Sequence, residues 1–154
     1  MTMPSDEKGQ ENDLFSASDE VKKEHNLLPA KSISPSSLRQ ISPNTLAYIG
    51  DAVYELHIRT HYLLPCLKIA DHHRRVVEQV RAETQARYLN QIMIQLTPEE
   101  KDWVRRGRNS VNKSPRRLSL TVYQQATGLE TLLGYLYITD GARLTHILQQ
   151  LDLK

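Results

Sequence analysis

The stretch 121–138, TVYQQATGLETLLGYLYI, holds a single carboxylate or base apart from its tyrosines, Glu130. In a helix otherwise free of charge, that one carboxylate belongs in a contact rather than in open water. On a helical wheel the neighbours of Glu130 are Tyr123, Ala126, Thr127, Gly134 and Tyr137. A buried carboxylate is costly unless a cation, a metal or several donors satisfy it. Ala126 and Gly134, four residues to either side, leave room for another helix backbone to come close.

A second stretch meets that requirement. Residues 42–62, SPNTLAYIGDAVYELHIRTHY, open with Ser42 as a cap and Pro43 in the first turn, where its missing N–H costs nothing. Leu46, Ile49, Ala52, Val53 and Leu56 make a wide apolar face, extended by Ala47, Gly50, Tyr54 and Ile58. This is the pattern of a central helix, with Asp51, Glu55 and Arg59 left as a narrow polar strip at four-residue spacing. Gly50 beside Asp51 invites the same close approach as Gly134 beside Glu130. Two such helices can cross and bring Asp51 and Glu130 together, offering the hard oxygens that Mg²⁺ or Mn²⁺ prefers. The competing account leaves Asp51 on a solvated strip, paired with Arg59 or a cap, and Glu130 in a structural ion pair. For Glu55, either an i,i+4 pair with Arg59 or support of a metal from behind fits the spacing.

The remaining periodicity is helical throughout. Helices are expected over 68–80, 82–96, 97–107 and 142–151, with one short turn at 36–40 and a break at 108–120. The inner face of 68–80 is expected to carry Ile69, His72 or His73, Val76, Val77 and Val80. Thr97, Pro98 and Glu100 form a capping box, and Gly107 reads as the end of that helix. No segment alternates with period two, so the fold class is all-α. Length suits one domain, assigned to 35–154, behind an acidic tail at 1–34 without periodicity, expected to be disordered. The lone Cys66 excludes a disulfide framework, and no run is long and apolar enough to span a bilayer. The expectation is a cytoplasmic protein with no membrane partner.

Charge divides along the chain. Of a formal net +2, residues 1–30 carry −4, from seven acids against three bases, which leaves +6 on the rest. The densest cationic segment is 105–117, RRGRNSVNKSPRR, with Arg105, Arg106, Arg108, Lys113, Arg116 and Arg117 and no acid. As a flexible loop it can follow phosphates through charge-assisted hydrogen bonds, or only aid solubility. Arg74, Arg75 and Arg81, near the join of two expected helices, carry the same ambiguity.

With these residues in place, 46–55 (LAYIGDAVYE) resembles the signature of the ribonuclease III catalytic domain, and 127–137 (TGLETLLGYLY) resembles its second acidic motif. Together with 106–109 (RGRN), the chain more narrowly resembles Mini-ribonuclease III, the short bacterial branch that has the catalytic domain without the double-stranded-RNA-binding domain. The likeness covers roughly 42–148. It departs where the usual signature has acids: this chain has Asn44, Ala47 and Thr127 there, as Mini-ribonuclease III does, so only Asp51 and Glu130 remain of the usual set. The resemblance implies a ribonuclease III-like helical bundle that forms a homodimer around a basic valley for duplex RNA. It implies hydrolysis at a site where Asp51 and Glu130 hold Mg²⁺, leaving 5′-phosphate ends. It further implies 23S ribosomal RNA precursor as substrate, with a ribosomal protein or pre-ribosome as a further partner. Since no room is left after the closing helix for a second RNA-binding domain, the catalytic domain is expected to grip RNA itself. A rival reading keeps the fold and the valley as a non-catalytic RNA-binding or ribosome-associated module.

Overall fold

The computed structural model describes residues 33–154. The expected acidic tail therefore lies, apart from its last two residues, outside the described residues. Seven helices follow in order: α1 (Pro35–Gln40), α2 (Pro43–His61), α3 (Ile69–Val80), α4 (Ala82–Ile92), α5 (Pro98–Asn109), α6 (Leu120–Thr139) and α7 (Gly141–Gln149). Among the described residues there is no strand, and no helix is long and apolar enough to cross a membrane.

Local chemistry sets the helix starts. The Ser42 hydroxyl accepts the Thr45 N–H, with Pro43 following it, and Ser119 does the same for Val122 at the head of α6. Thr97 and Glu100 complete the capping box in both directions. Asp140 closes α6 and caps α7 by accepting the Arg143 N–H. That cap starts α7 at Gly141.

The most enclosed helix is α6, against which α2, α4, α5 and α7 pack. From Ala126 to Leu136 every residue but Glu130 is buried. The expectation that 42–62 is the central helix is corrected in part. The buried face of α2 is Leu46, Ala47, Gly50, Val53, Tyr54 and Ile58, while Tyr48, Ala52 and Leu56 are exposed. The reason is the crossing with α6. A Cβ on Gly50 would overlap the Glu130 carbonyl, and one on Gly134 would overlap the Leu46 carbonyl, so the two backbones touch through these glycines. The contact turns Gly50 inward and rotates Ala52 and Leu56 out.

Three other boundaries and faces differ from expectation. Helix α5 continues through Gly107 to Asn109, because Gly107 is a packing residue whose absent side chain makes room for Thr131 of α6. Helix α4 gives way at Met93 to a 3₁₀ turn (Met93–Gln95) that leaves Ile94 exposed. On α3, Ile69 is exposed, and Gln79 is buried instead, accepting the Tyr88 hydroxyl at 2.7 Å. Elsewhere Arg143 ties α7 to α5 through two hydrogen bonds to the buried Glu100 carboxylate, at 2.7 and 2.9 Å.

Candidate active site

The α2–α6 crossing opens on one side into a pocket of about 230 Å³ lined by Asp51 and Glu130, the two carboxylates that the sequence singles out. Its other walls come from Asn44, Ala47 and Tyr48 of α2, Tyr123 and Thr127 of α6, and Val111 just past α5. Most of these are readable as helical neighbours: 44, 47/48 and 51 share one stripe, as do 123, 127 and 130. Asn44, Ala47 and Thr127, the three positions that lack the acids of the usual signature, face this same pocket. The Thr127 hydroxyl is occupied locally, donating to the Tyr123 carbonyl at 3.0 Å. The Ser110 hydroxyl reaches the Asn44 side-chain oxygen at 2.7 Å and the Gly107 carbonyl at 2.6 Å, joining the end of α5 to the start of α2. No local pattern announces that link, since its partners lie 66 residues apart.

Among the described residues neither pocket carboxylate has a cationic partner. The four ion pairs among the described residues are Arg59–Glu55, Arg74–Asp71, Arg105–Asp102 and Arg143–Glu100. Burial, then the nearby Asp51 charge, push the Glu130 carboxyl up to about 8. Partial burial and the charge of Glu55 hold Asp51 above the usual carboxylate range. Two carboxylates raised together, with no base to neutralise them, fit a divalent cation. They are two carboxylates and no more, for among the described residues no three His, Cys, Asp or Glu converge. Glu55 does not line the pocket; it accepts from Arg59 and reaches the site only through its charge.

The basic residues are arranged differently from the flexible loop expected over 105–117. Arg105, Arg106 and Arg108 belong to helix α5, and only Lys113, Arg116 and Arg117 lie in the irregular segment that follows. Arg105 pairs with Asp102, and Arg106 stacks over Trp103 at 3.9 Å, where Trp103 in turn stacks on Tyr135. Arg74 pairs with Asp71. Arg75, Arg81, Lys113, Arg116 and Arg117 are exposed and outside any ion pair among the described residues. Gln124 of α6 holds the irregular segment by donating to the Val111 carbonyl at 2.8 Å, at the rim of the pocket.

Residues 44–141 match the family model described as the ribonuclease III domain. A Mini-ribonuclease 3 of Synechocystis sp. is 53% identical over 117 residues, covering 76% of this chain and 82% of the relative. A Mini-ribonuclease 3 of Thermoanaerobacter sp. is 41% identical, covering 76% and 84%. A crystal structure of a protein from Fusobacterium nucleatum superposes with a TM-score of 0.68 at 30% identity, covering 73% of this chain and 92% of that one.

Proposed function

This chain belongs to the ribonuclease III family, in its Mini-ribonuclease 3 branch, and from that premise we propose that it is a Mg²⁺-dependent endoribonuclease that cuts double-stranded RNA in 23S ribosomal RNA precursor. The observation that carries the proposal is the convergence of Asp51 and Glu130, without a neutralising base, on one pocket at a glycine-to-glycine helix crossing. Asp51 and Glu130 are the residues that would hold the cation, with Mn²⁺ an alternative to Mg²⁺. When bound, such a cation lowers the pKa of water and stabilises charge at phosphorus.

The chain's own part is positioning. The α2–α6 contact fixes both carboxylates on rigid helices, and water has access to the pocket on its open side. Exposed Arg75, Arg81, Lys113, Arg116 and Arg117 are candidate contacts to duplex phosphates, with Arg74, Arg105, Arg106 and Arg108 as further cations carried on helices. Duplex RNA is recognised by shape, phosphates and 2′-hydroxyls, so a basic surface without base-reading elements is sufficient. The exposed apolar residues of α2, Tyr48 and Leu56, together with Leu63 and Leu64 beyond it, suit a second copy of the chain. A homodimer then presents two sites to one duplex, in the cytoplasm, with a ribosomal protein or the pre-ribosome as a further partner in presenting the substrate.

The test is cleavage of a defined RNA hairpin in Mg²⁺ by wild type, Asp51→Asn and Glu130→Gln, with folding checked by circular dichroism. Wild type is expected to leave 5′-phosphate ends and both variants to bind duplex without cutting it. Equal cleavage by all three would overturn the assignment. Duplex binding with no cleavage even by wild type would establish the rival non-catalytic module, which draws on the sparse carboxylate set.

A further inference from the structure

Ser110, which caps the end of α5, has one hydroxyl proton and two close partners. Its Oγ lies 2.6 Å from the Gly107 carbonyl and 2.7 Å from the end of the Asn44 side chain. With Oδ1 of Asn44 facing Ser110, two acceptors would compete for that single proton. The Gly107 carbonyl can only accept, so it takes the proton. The contact with Asn44 is then favourable in one orientation of the amide, with Nδ2 towards Ser110 and donating to Oγ. This turns Oδ1 away from Ser110. Asn44 lines the pocket of Asp51 and Glu130 and Ser110 does not, so the free oxygen is offered to the pocket. The mount is firm, because the Ser110 N–H bonds back to the Arg106 carbonyl at 3.1 Å and Gln124 of α6 holds the Val111 carbonyl at 2.8 Å.

We propose that Asn44 is a substrate-contacting residue that makes the site selective for RNA: its Oδ1, oriented through Ser110, accepts a hydrogen bond from a ribose 2′-hydroxyl beside the cut. The inference rests on the reading of the pocket as a site of duplex-RNA cleavage. Asn44 stands two turns of α2 from Asp51, about 10 Å along the axis, so it meets the sugar of a neighbouring nucleotide rather than the scissile phosphate. An acceptor without charge suits that place. A carboxylate there would accept the same hydroxyl but set a third negative charge beside the phosphodiester, whereas an amide oxygen accepts without that repulsion. The 2′-hydroxyl is also the group by which a protein tells RNA from DNA.

The experiment uses the full chain and a set of RNA hairpins, each with a single 2′-deoxynucleotide at a different position flanking the cut. Cleavage in Mg²⁺ is timed for wild type, Asn44→Ala and Ser110→Ala. Wild type is expected to slow roughly 3- to 10-fold at one position, the effect of one lost hydrogen bond. Asn44→Ala should cut that hairpin and its all-ribose parent at the same, reduced rate. Ser110→Ala, which frees the amide to turn, should weaken discrimination at the same position. Neither change removes a carboxylate, so Mn²⁺ binding in the absence of RNA, followed by electron paramagnetic resonance, should match wild type. A wild type insensitive at every position, or an Asn44→Ala that keeps the wild-type pattern, would overturn the proposal. Weaker Mn²⁺ binding by Asn44→Ala with the pattern retained would also overturn it, assigning Oδ1 to a water of the cation instead. A wild type that cuts no hairpin at all would overturn the nuclease reading itself, a result distinct from cutting without discrimination.

Discussion

An enclosed carboxylate with no base beside it holds its proton, and Glu130 is such a group. Its pKa is raised to about 8 from an ordinary 4.5, by burial first and by Asp51 second. A raised carboxyl pKa means that the folded state binds the proton more tightly than the unfolded chain does. The stabilisation is complete below about 4.5 and is lost as pH climbs through about 8. Metal-free protein should therefore weaken over that window, and Glu130→Gln should flatten the slope and gain roughly 2–3 kcal/mol at pH 7. Urea melts in a chelator between pH 4.5 and 8.5 measure this; parallel curves for the two proteins would refute it. The same linkage makes cation binding compete with the proton, so Mn²⁺ affinity should rise with pH up to about 8. That Glu130 is isolated was legible in the sequence, because it is the one charge in its helix. That Asp51 shares its pocket was legible only as an option, which the glycines beside both residues made reasonable.

At the scale of helices, the crossing of α2 and α6 is built from absent side chains. Gly50 and Gly134 each lie against the other helix's backbone, so neither position has a flexible neighbour that can give way. Gly134→Ala should cost about 3 kcal/mol or more, the upper part of what overpacking costs in well-packed cores. Where the variant folds, the helices must separate, and Mn²⁺ affinity should fall with stability. Chemical denaturation followed by metal titration checks both; a variant as stable as wild type would mean that the crossing is looser than it looks. Gly107 shows why such packing is hard to read in advance. A glycine after an amphipathic run, followed by polar residues, fits a helix terminator as well as a packing site, and the difference depends on Thr131 and Gly128 arriving from α6. The rotated face of α2 has the same origin. Its wheel is apolar around most of the cylinder, so the pattern alone could not choose which stripe α6 would take.

At the scale of the molecule, the described residues leave an apolar surface exposed. Tyr48 is 79% exposed, Leu56 46% and Leu64 75%, and the first two lie eight residues apart on one stripe of α2, with exposed Ala52 between them. If a second copy covers this surface, Leu56→Asp combined with Leu64→Asp should convert a dimer into a monomer in sedimentation velocity and sharply reduce hairpin cleavage. A wild-type monomer, or a variant still dimeric, would place the partner surface elsewhere. The double change leaves the pocket lining untouched, so cation binding by each chain should persist. Loss of cleavage with retained Mn²⁺ affinity would tie the assembly to duplex handling rather than to the metal site.

By itself the sequence determined the helices, the all-α class, the membership of a family and the identity of two carboxylates. These are local quantities: caps act within four residues, amphipathic periodicity within a few turns, and the two acidic motifs are each contiguous. Tertiary structure alone decided which side of α2 faces α6, and it placed three arginines of 105–117 on a helix, with Asp102 or Trp103 occupying two of them. It also buried the amide of Gln85, which α4's own pattern does not announce. Each of these depends on which helix covers a given surface, and that is settled by contacts between residues far apart in the chain, the glycine contacts of α6 with α2 and α5 among them.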